Sequence, residues 1–350
     1  MNEPLVSLII VARNAEKYLP DLLADLLAQD YDHQKIELLG VDSCSSDGTE
    51  ALFKRFQEEH PEFSVKVLAN PKKILAAGWN VALADARGDL IIRVDAHARI
   101  PQDFIRMNVE VAGKGHDIVG GQRISVIPED KMEALFALAE SSKFGAGSAG
   151  FKNPGPARFV DTLAHAAYRR EVFLKAGGYD ERLVRTEDNE IHQRMKAAGF
   201  KFYFDPLIKS YHYPRPSFKG LLHQKFCNGF GVGVTMSVAP SCFGLRHFVP
   251  FLFLVTLALF IVCGVASNWL PLLALLVLYW SVAVFFAFRS SRESDRPLGL
   301  MYGALPDLFL LIHLAYGLGT LLGLLSVPAF LANWGDYKVP QPVRRIDLCA

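Results

Sequence analysis

Between residues 5 and 94, short apolar runs alternate with longer segments in which apolar residues recur at helical spacing. The runs are rich in Val, Ile and Leu, which is typical of strands buried on both faces of a sheet; they cover residues 5–12, 36–41, 65–68 and 90–94. Helices are predicted between them, at residues 18–28, 48–60 and 74–86. This alternation predicts a parallel, Rossmann-like α/β sheet, in which ligands bind beyond the carboxyl ends of the strands.

The alternation weakens after residue 103. A glycine-rich segment at residues 144–156 is typical of a mobile loop. A helix is predicted at residues 189–198. Residues 218–230 form an amphipathic stretch in which Lys, His and Gln lie among aromatic residues.

The chain becomes strongly apolar beyond residue 246. Three segments have the length of roughly 20 apolar residues that crosses a bilayer: residues 248–266, 270–288 and 308–331. A soluble domain would need a very large core to bury all three. We therefore predict four regions: a domain at residues 1–215, an amphipathic, interfacial linker at 216–245, a transmembrane region at 246–333 and a polar tail at 334–350.

Charges near the apolar segments predict the orientation in the membrane. The link RSSRESDRP between the second and third segments carries three arginines, which favours the cytoplasmic side. A cytoplasmic link puts the amino-terminal domain on the same side, which matches Glu3 standing where a signal peptide carries cations. Lys338, Arg344 and Arg345 also favour the cytoplasm, yet three full crossings would place the tail outside. Either the third segment is re-entrant or interfacial, or the charge rule is violated here.

Composition excludes several classes of protein. Hydrophobic residues make up 51% of the chain and charged residues 21%, which argues against wholesale disorder. The net charge is +1 and no basic stripe is present, so we expect no nucleic-acid partner. The five cysteines show no C-x-x-C spacing, which argues against a disulfide framework or a zinc cluster and fits a reducing compartment.

Two pairs of candidate residues follow predicted strands. Asp42 and Asp47, in VDSCSSDGT, could accept hydrogen bonds from a base or ribose, although Asp47 could equally cap the next helix. Asp95 and His97, in RVDAHA, point to the same side of an extended segment and could both reach one ion. Carboxylate with imidazole suits Mn²⁺, and Mg²⁺ remains possible. The alternative is a surface turn before Pro101.

Two further candidates lie later in the chain. Glu187 and Asp188 open the helix predicted after them, and one could act as a general base toward an attacking hydroxyl. Acids at a helix amino terminus are also favoured by the helix dipole alone. His212, in KSYHYPRP, could be a metal ligand or simply a packed histidine.

Taken together and in this order, these motifs resemble glycosyltransferase family 2, whose members adopt the GT-A fold. The resemblance covers residues 4–215, from VSLIIVARNAEKYLPDLLADLLAQDY through VDSCSSDGT and RVDAHA to GGYDERLVRTEDNEIHQRM. It implies that Asp42 and Asp47 bind the nucleotide and that Asp188 is the catalytic base, with Glu187 on the donor side. RVDAHA stands in the place of the family's D-x-D, so His97 replaces the second aspartate.

The resemblance also implies a metal site and a subfamily. Asp95 and His97 would hold a divalent cation, Mn²⁺ or Mg²⁺, and His212 lies where the GT-A fold commonly supplies a later histidine. The R-x-D-A-H-A form, the later HYPR and the hydrophobic tail are most similar to exopolysaccharide transferases of the succinoglycan type. Arg93 and Lys73 are candidate phosphate contacts, and the loop at residues 144–156 is a candidate lid over the donor.

The function implied is that of an inverting, membrane-anchored glycosyltransferase. It would transfer one sugar from a nucleotide-sugar, UDP-linked and for example UDP-glucose, to a polyprenyl-diphosphate-linked glycan at the cytoplasmic face of the membrane. Processive synthesis is not expected, because HQKFCNGFG at residues 223–231 has the Gln of the family's Q-x-x-R-W but neither its Arg nor its Trp.

Three alternatives remain at this point. One is an inactive, nucleotide-sugar-binding membrane scaffold of a polysaccharide complex, against which the intact Glu187–Asp188 pair argues. A nucleotidyltransferase would need a glycine-rich phosphate loop after the first strand, where ARNAEKY stands. A transporter would need polar clusters inside the apolar segments, and the clusters above all lie outside them.

Overall fold

The computed structural model describes residues 3–146, 151, 155–294, 298–334 and 337–343, and it divides the chain into two compact units. The sheet unit comprises residues 1–124, 149–212 and 336–350. The helical unit comprises residues 125–148 and 213–335. The chain therefore leaves the sheet unit after His212 and returns to it near the carboxyl end.

The sheet unit is built on a mixed sheet with nine strands in its described part. They are β1 (Val6–Ala12), β2 (Ile36–Asp42), β3 (Ser64–Ala69), β4 (Leu90–Asp95), β5 (Ala98–Arg99), β6 (Ile118–Ser125), β7 (Arg158–Val160), β8 (Ala167–Arg169) and β9 (Phe202–His212). Their order is β3-β2-β1-β4-β8-β6-β9-β5, with β7 paired to β9. Strands β1 to β4 are parallel, and β8 runs antiparallel to β4. The predicted α/β fold is confirmed. Apart from the two-residue β5, the strands added in antiparallel pairs come from the region after residue 103, where the alternation weakens.

The described helices follow the predicted pattern along the first part of the chain. They are α1 (Leu19–Leu27), α2 (Thr49–Glu59), α3 (Leu75–Asp85), α4 (Phe104–Gly113), α5 (Lys131–Ser141), α6 (Lys143–Ala146), α7 (Arg170–Ala176), α8 (Glu187–Ala197), α9 (Phe218–Thr235), α10 (Val249–Ala266), α11 (Leu270–Glu293), α12 (Leu305–Leu325) and α13 (Val327–Trp334). Because successive side chains of a strand point to opposite faces of the sheet, β1 contributes side chains to two apolar layers. Leu8 and Ile10 pack with α1, α2 and α4, whereas Ile9 packs with α3, α7 and α8.

Three helices of the helical unit, α10, α11 and α12, are long and apolar enough to cross a membrane. The third predicted segment, residues 308–331, is divided in the structure: α12 ends at Leu325 and α13 begins at Val327. Pro328 lies in the first turn of α13, a position that needs no backbone N–H. Residues 147–150 and 152–154 of the predicted glycine-rich loop lie outside the described residues.

Helices α9 and α12 pack with their backbones in contact, through glycines on both helices. A β-carbon at Gly229 would collide with the carbonyl oxygen of Tyr316, and one at Gly233 would lie 2.6 Å from the backbone nitrogen of Leu324. In the other direction, a β-carbon at Gly319 would collide with the carbonyl oxygen of Phe226. Small residues on both helices allow this close approach of the two backbones.

Replacing Gly233 by Ala should destabilise the protein, because the added methyl meets backbone atoms that cannot rotate away. Overpacking of this kind typically costs about 1–3 kcal/mol. Gly233→Ala should therefore lower the melting temperature measured in detergent. The matched control is Gly303→Ala, since a β-carbon at Gly303 has no atom within 4 Å among the described residues. Equal melting temperatures for the two variants would contradict the close helix pairing.

Candidate functional site

The candidate site forms at the carboxyl ends of the parallel strands. Asp42 ends β2 opposite Ala12 of β1, and Asp95 ends β4 opposite Val11 of β1. Because β1 lies between them, the two aspartates are separated by two strand spacings, roughly 10 Å. The strand order thus brings Asp42 and Asp95, 53 positions apart in the sequence, to the same edge of the sheet.

The two aspartates of VDSCSSDGT have different surroundings. Asp42 is 7% exposed, and its Oδ2 accepts the backbone N–H of Ser45 at 3.1 Å. Its Oδ1 is buried and has no hydrogen-bond partner among the described residues. Asp47 instead accepts the hydroxyl of Thr49 at 2.6 Å and the backbone N–H of Glu16 at 3.2 Å. These bonds, with the Thr49 hydroxyl as the largest cause, lower the pKa of Asp47. Asp42 therefore has an oxygen free for a ligand, whereas both oxygens of Asp47 hold the turn.

His97 and His212 are brought together by strand pairing. The short strand β5 pairs antiparallel with the end of β9, so that Ala98 lies opposite His212. The His97 and His212 rings approach edge to face, with centroids 4.9 Å apart. The structure thus brings together His97 and His212, which the sequence predicts to act together, beside Asp95.

His165 is a further residue of this cluster, which the sequence analysis did not identify. It is 2% exposed, its Nε2 lies 3.2 Å from Oδ2 of Asp95, and its Nδ1 lies 2.9 Å from the hydroxyl of Ser210. Its backbone φ of 48° lies in the left-handed region, which few residues other than glycine adopt. A single histidine in TLAHAAY carries no sequence signal for this placement. His165 orients the Asp95 carboxylate.

The charges of the cluster match what a divalent cation requires. Burial would raise the pKa of Asp95, but the hydrogen bond from His165 and nearby positive charge hold it well below its usual range. Burial lowers the pKa of His212 well below its usual value, so its ring is neutral. The buried Nδ1 of His212 has no hydrogen-bond partner in the described part of the chain. An ionised carboxylate and a neutral imidazole with a free nitrogen fit the donors that a divalent cation takes.

Protein side chains do not complete a metal site here. Within the described ranges, no group of three or more His, Cys, Asp or Glu side chains is arranged to hold an ion. Cations at phosphate-binding sites commonly take only one or two protein ligands, and substrate phosphates and water supply the rest. The residues present fit a cation of that kind.

Asp188 lies in the first turn of α8 and is paired with Arg93 of β4. Nη2 of Arg93 contacts Oδ2 of Asp188 at 2.7 Å, and Nη1 contacts Oδ1, so the pair is bidentate. Arg93 is 6% exposed; Nη1 also donates to the Tyr179 hydroxyl at 2.8 Å, and the guanidinium lies 4.9 Å from the Trp79 ring. Arg93 was predicted as a phosphate contact, but its terminal nitrogens bind Asp188 and Tyr179.

The two adjacent acids of α8 are in opposite protonation states. Burial, together with the charge of Asp188, raises the pKa of Glu187 to about 8. Burial would also raise the pKa of Asp188, but Arg93 lowers it below its usual value. The Asp188 side chain is 39% exposed, so solvent or a ligand can reach it. Near neutral pH Glu187 can donate a proton in a hydrogen bond, whereas Asp188 can accept one.

Helix α3 and strand β4 both contact the loop before α8, β4 through the bond from Arg93 to the Tyr179 hydroxyl. Asn80 of α3 accepts the backbone N–H of Tyr179 at 2.7 Å and donates to the Tyr179 carbonyl at 2.9 Å. Lys73, the other predicted phosphate contact, is exposed after β3 with a φ of 61°. Its role stays a prediction.

Comparison with known proteins gives the family. Residues 7–177 match the family model described as glycosyl transferase family 2. The matched segment contains Asp42, Asp47, Asp95 and His97 and ends before Glu187. A dolichyl N-acetyl-alpha-D-glucosaminyl phosphate 3-beta-D-2,3-diacetamido-2,3-dideoxy-beta-D-glucuronosyltransferase of Methanococcus voltae is 27% identical over 327 residues, covering 92% of this chain and 97% of the relative.

A second relative and a solved structure agree with this. The succinoglycan biosynthesis protein ExoA of Rhizobium meliloti is 31% identical over 215 residues, covering 60% of this chain and 64% of the relative. The mannosyltransferase PcManGT of Pyrobaculum calidifontis, solved in complex with GDP-Man and Mn²⁺, superposes with a TM-score of 0.62 at 19% identity, covering 91% of this chain and 88% of that one. The predicted resemblance is confirmed: residues 7–177 belong to glycosyl transferase family 2, and the chain has the GT-A fold of a glycosyltransferase.

Proposed function

We propose that this protein is an inverting, divalent-metal-dependent glycosyltransferase of exopolysaccharide or other cell-surface polysaccharide synthesis. It transfers one sugar from a UDP-linked donor, for example UDP-glucose, to a polyprenyl-diphosphate-linked glycan. The acceptor class is supported by relatives named for lipid-phosphate substrates, the Methanococcus voltae transferase among them. We place the catalytic domain, residues 1–215, on the cytoplasmic side, where the arginines between α11 and α12 favour it, and residues 216–245 near the acceptor.

The observation that carries the proposal is the ionised, partly exposed Asp188 carboxylate, held at both oxygens by Arg93. Each oxygen keeps a lone pair, so the carboxylate can still accept the proton of an acceptor hydroxyl. The charge of Asp95 is near enough to raise the pKa of Asp188, which supports one common site for both. Attack by the deprotonating hydroxyl on the sugar carbon breaks its bond to the diphosphate, and one displacement inverts that carbon.

We place the divalent cation at the predicted residues Asp95, His97 and His212. Because the described side chains do not form a three-ligand group, one or two of these three would bind the cation, and substrate phosphates and water would complete its coordination. When bound, such a cation supplies positive charge that neutralises the diphosphate leaving group. His165 orients Asp95 from the side opposite to solvent, because it is itself buried and fixed by Ser210. The free Nδ1 of His212 supports this ligand set, and Mn²⁺ and Mg²⁺ are both candidates.

Asp42 and Asp47 belong to the nucleoside side of the proposed site. The unpaired Oδ1 of Asp42 is suited to accept an N–H or O–H of a base or ribose, and Asp47 fixes the turn that follows. Glu187, which is neutral near pH 7, is suited to donate a hydrogen bond to an oxygen of the nucleotide-sugar. Lys73 remains a proposed contact of the donor phosphates. The loop at residues 144–156 remains a proposed lid over the donor.

The inactive scaffold is not favoured, since the relatives are named enzymes and the Glu187–Asp188 pair is intact. The family match likewise argues against the nucleotidyltransferase and transporter hypotheses.

Replacing Asp188 by Asn should abolish sugar transfer, because the amide cannot accept the hydroxyl proton. We expect a loss of about 10²–10⁴-fold in kcat with little change in UDP affinity. The assay measures transfer from each of a panel of UDP- and GDP-sugars to membrane lipid extract, in the presence of Mn²⁺, of Mg²⁺ or of a chelator. Asp161→Asn, which changes an exposed acid of the same unit, is the matched control. Full turnover by Asp188→Asn would remove the base assignment.

Weakening the Arg93 contact should shift the pH dependence of turnover. Arg93 lowers the pKa of Asp188, so its loss raises that pKa and the ionised base forms only at higher pH. The acid limb of kcat against pH should therefore move upward for Arg93→Met, and less for Arg93→Lys, which keeps a charge but not the bidentate contact. Melting temperatures verify that both variants fold. An unmoved limb with kcat lowered equally at every pH would contradict a positioning role.

Asp42 and Asp47 should respond differently to the same substitution. Asp42→Asn removes a charged acceptor, and a charged hydrogen bond contributes about 1.5–3 kcal/mol, so the Kd for UDP should rise by roughly 10–100-fold. Asp47→Asn should lower the melting temperature and change the Kd less, because its oxygens bind Thr49 and Glu16. Calorimetric titration and thermal unfolding measure both quantities. The assignment fails if Asp47→Asn weakens UDP binding as much as Asp42→Asn without loss of stability.

A further inference from the structure

Both ends of the apolar part of the chain belong to the sheet unit. The unit includes His212 before the helical unit and residues 336–350 after it. The returning segment is well packed: Val343 is 3% exposed within the apolar layer of α3, α7 and α8, and the Pro340 carbonyl accepts the backbone N–H of Gly178 at 2.8 Å. The Tyr337 hydroxyl accepts the backbone N–H of Glu181 at 2.9 Å.

This return limits how the chain crosses a membrane. One compact unit lies on one side of a bilayer, so the segment between its two parts must cross an even number of times. The helical unit contains three helices of crossing length and composition among its described residues. Three crossings would place residues 337–343 on the opposite side from the sheet to which they are bound.

Helices α10 and α11 form the pair best suited to cross. With 18 and 24 residues they are about 27 and 36 Å long at 1.5 Å per residue, against a hydrocarbon core of about 30 Å. Residues 267–269 join them, and Phe253 of α10 stacks on Tyr279 of α11 with centroids 4.7 Å apart, so they form an antiparallel hairpin. In the most apolar stretch of each helix, only 6% of the residues of α10 and 17% of those of α11 are buried.

A fourth crossing by α9 would also make the number even, but the direction of the helices excludes it. If α9, α10, α11 and α12 each crossed in turn, α9 and α12 would run in opposite directions. Their contacts show the reverse: Gly229 meets Tyr316, and Gly233, one turn later, meets Leu324. Residue numbers rise together on both helices, so α9 and α12 are parallel. Helix α13, with eight residues, is about 12 Å long and too short to recross.

The composition of α9 and α12 fits a pair that does not cross. The third candidate span, residues 299–325, includes α12, and 39% of its most apolar stretch is buried, so much of its apolar surface packs inside the protein. In α9, Lys225 is buried and paired with Glu140 of α5 at 2.8 Å. The pair still exposes apolar side chains that suit a bilayer interface; these are Phe218, Phe230, Leu311, Leu318, Leu322 and Leu325.

We propose that the protein is anchored by a two-helix hairpin, α10 and α11, and that the parallel pair α9 and α12 lies in the bilayer interface on the side of the sheet unit. The partner of the pair is the phospholipid surface. This arrangement places Arg289 and Arg292 at the end of α11 on the same side as Lys338 of the tail. It removes the conflict between the charge rule and three full crossings, and it does not depend on the sugar transferred.

Labelling of single cysteines in membranes tests this topology. The starting protein is the full chain with Cys44, Cys227, Cys242, Cys263 and Cys349 replaced by Ser. Single cysteines are then introduced by Ser267→Cys at the hairpin tip, Ser326→Cys after α12 and Asn333→Cys in α13. A variant that keeps only Cys44, which is exposed in the sheet unit, marks the side of that unit. An impermeant maleimide is applied to right-side-out and to inverted vesicles.

We expect Ser267→Cys to react only from the side opposite to Cys44, and Ser326→Cys and Asn333→Cys only from the side of Cys44. Reaction of Ser326→Cys or Asn333→Cys from the side of Ser267→Cys would overturn the proposal, as would reaction of Ser267→Cys from the side of Cys44. A protease-cleavable tag after Ala350 gives a second reading if lipid shields the introduced thiols. Cleavage only from the side of Cys44 supports the proposal, and cleavage from the opposite side overturns it. Because sugar transfer is not measured, failure of the proposed function leaves these outcomes unaffected.

Discussion

The arrangement of the site depends on a positive charge buried in the sheet. Arg93 lies on β4, between the parallel and the antiparallel parts of the sheet, with 6% of its surface exposed. An unpaired charge at such a position is strongly unfavourable, so the fold must supply an anion. Asp188 supplies it and thereby fixes the first turn of α8 over the carboxyl end of β4. Glu187, buried beside it, is left without that compensation and stays neutral.

The sequence predicts much of this molecule because the apolar pattern and the motif order are strong signals. The parallel strands appear within one or two residues of their predicted positions, and the sequence already named Asp42, Asp95, His97, Asp188 and His212. The partners of these residues were not predictable. His165 belongs to no motif, and both its left-handed φ and its contacts to Asp95 and Ser210 appear only in the folded structure. Arg93 looked like a phosphate ligand because sequence position does not reveal which anion a strand residue meets.

The carboxyl end of the chain shows the same limit at the level of topology. Hydropathy identifies helices of crossing length but cannot distinguish a helix that is apolar toward lipid from one that is apolar toward its neighbours. Burial separates α12 from α10 and α11, and the glycines of α9 and α12 explain why α12 has neighbours at all. If α12 lies in the bilayer interface, as proposed, the conflict between the charge rule and the number of crossings does not arise.

The histidine of the D-A-H motif is consistent with the charges around it. Asp95 and Asp188 are both held ionised, and the charge of each disfavours further negative charge nearby. An aspartate at position 97 would add a third anion beside them, with the guanidinium of Arg93 already committed to Asp188. A histidine gives a metal-binding nitrogen without that charge, and His212, neutral because it is buried, adds another. In the proposed metal site, histidines at positions 97 and 212 would therefore add donor atoms without adding negative charge beside Asp95 and Asp188.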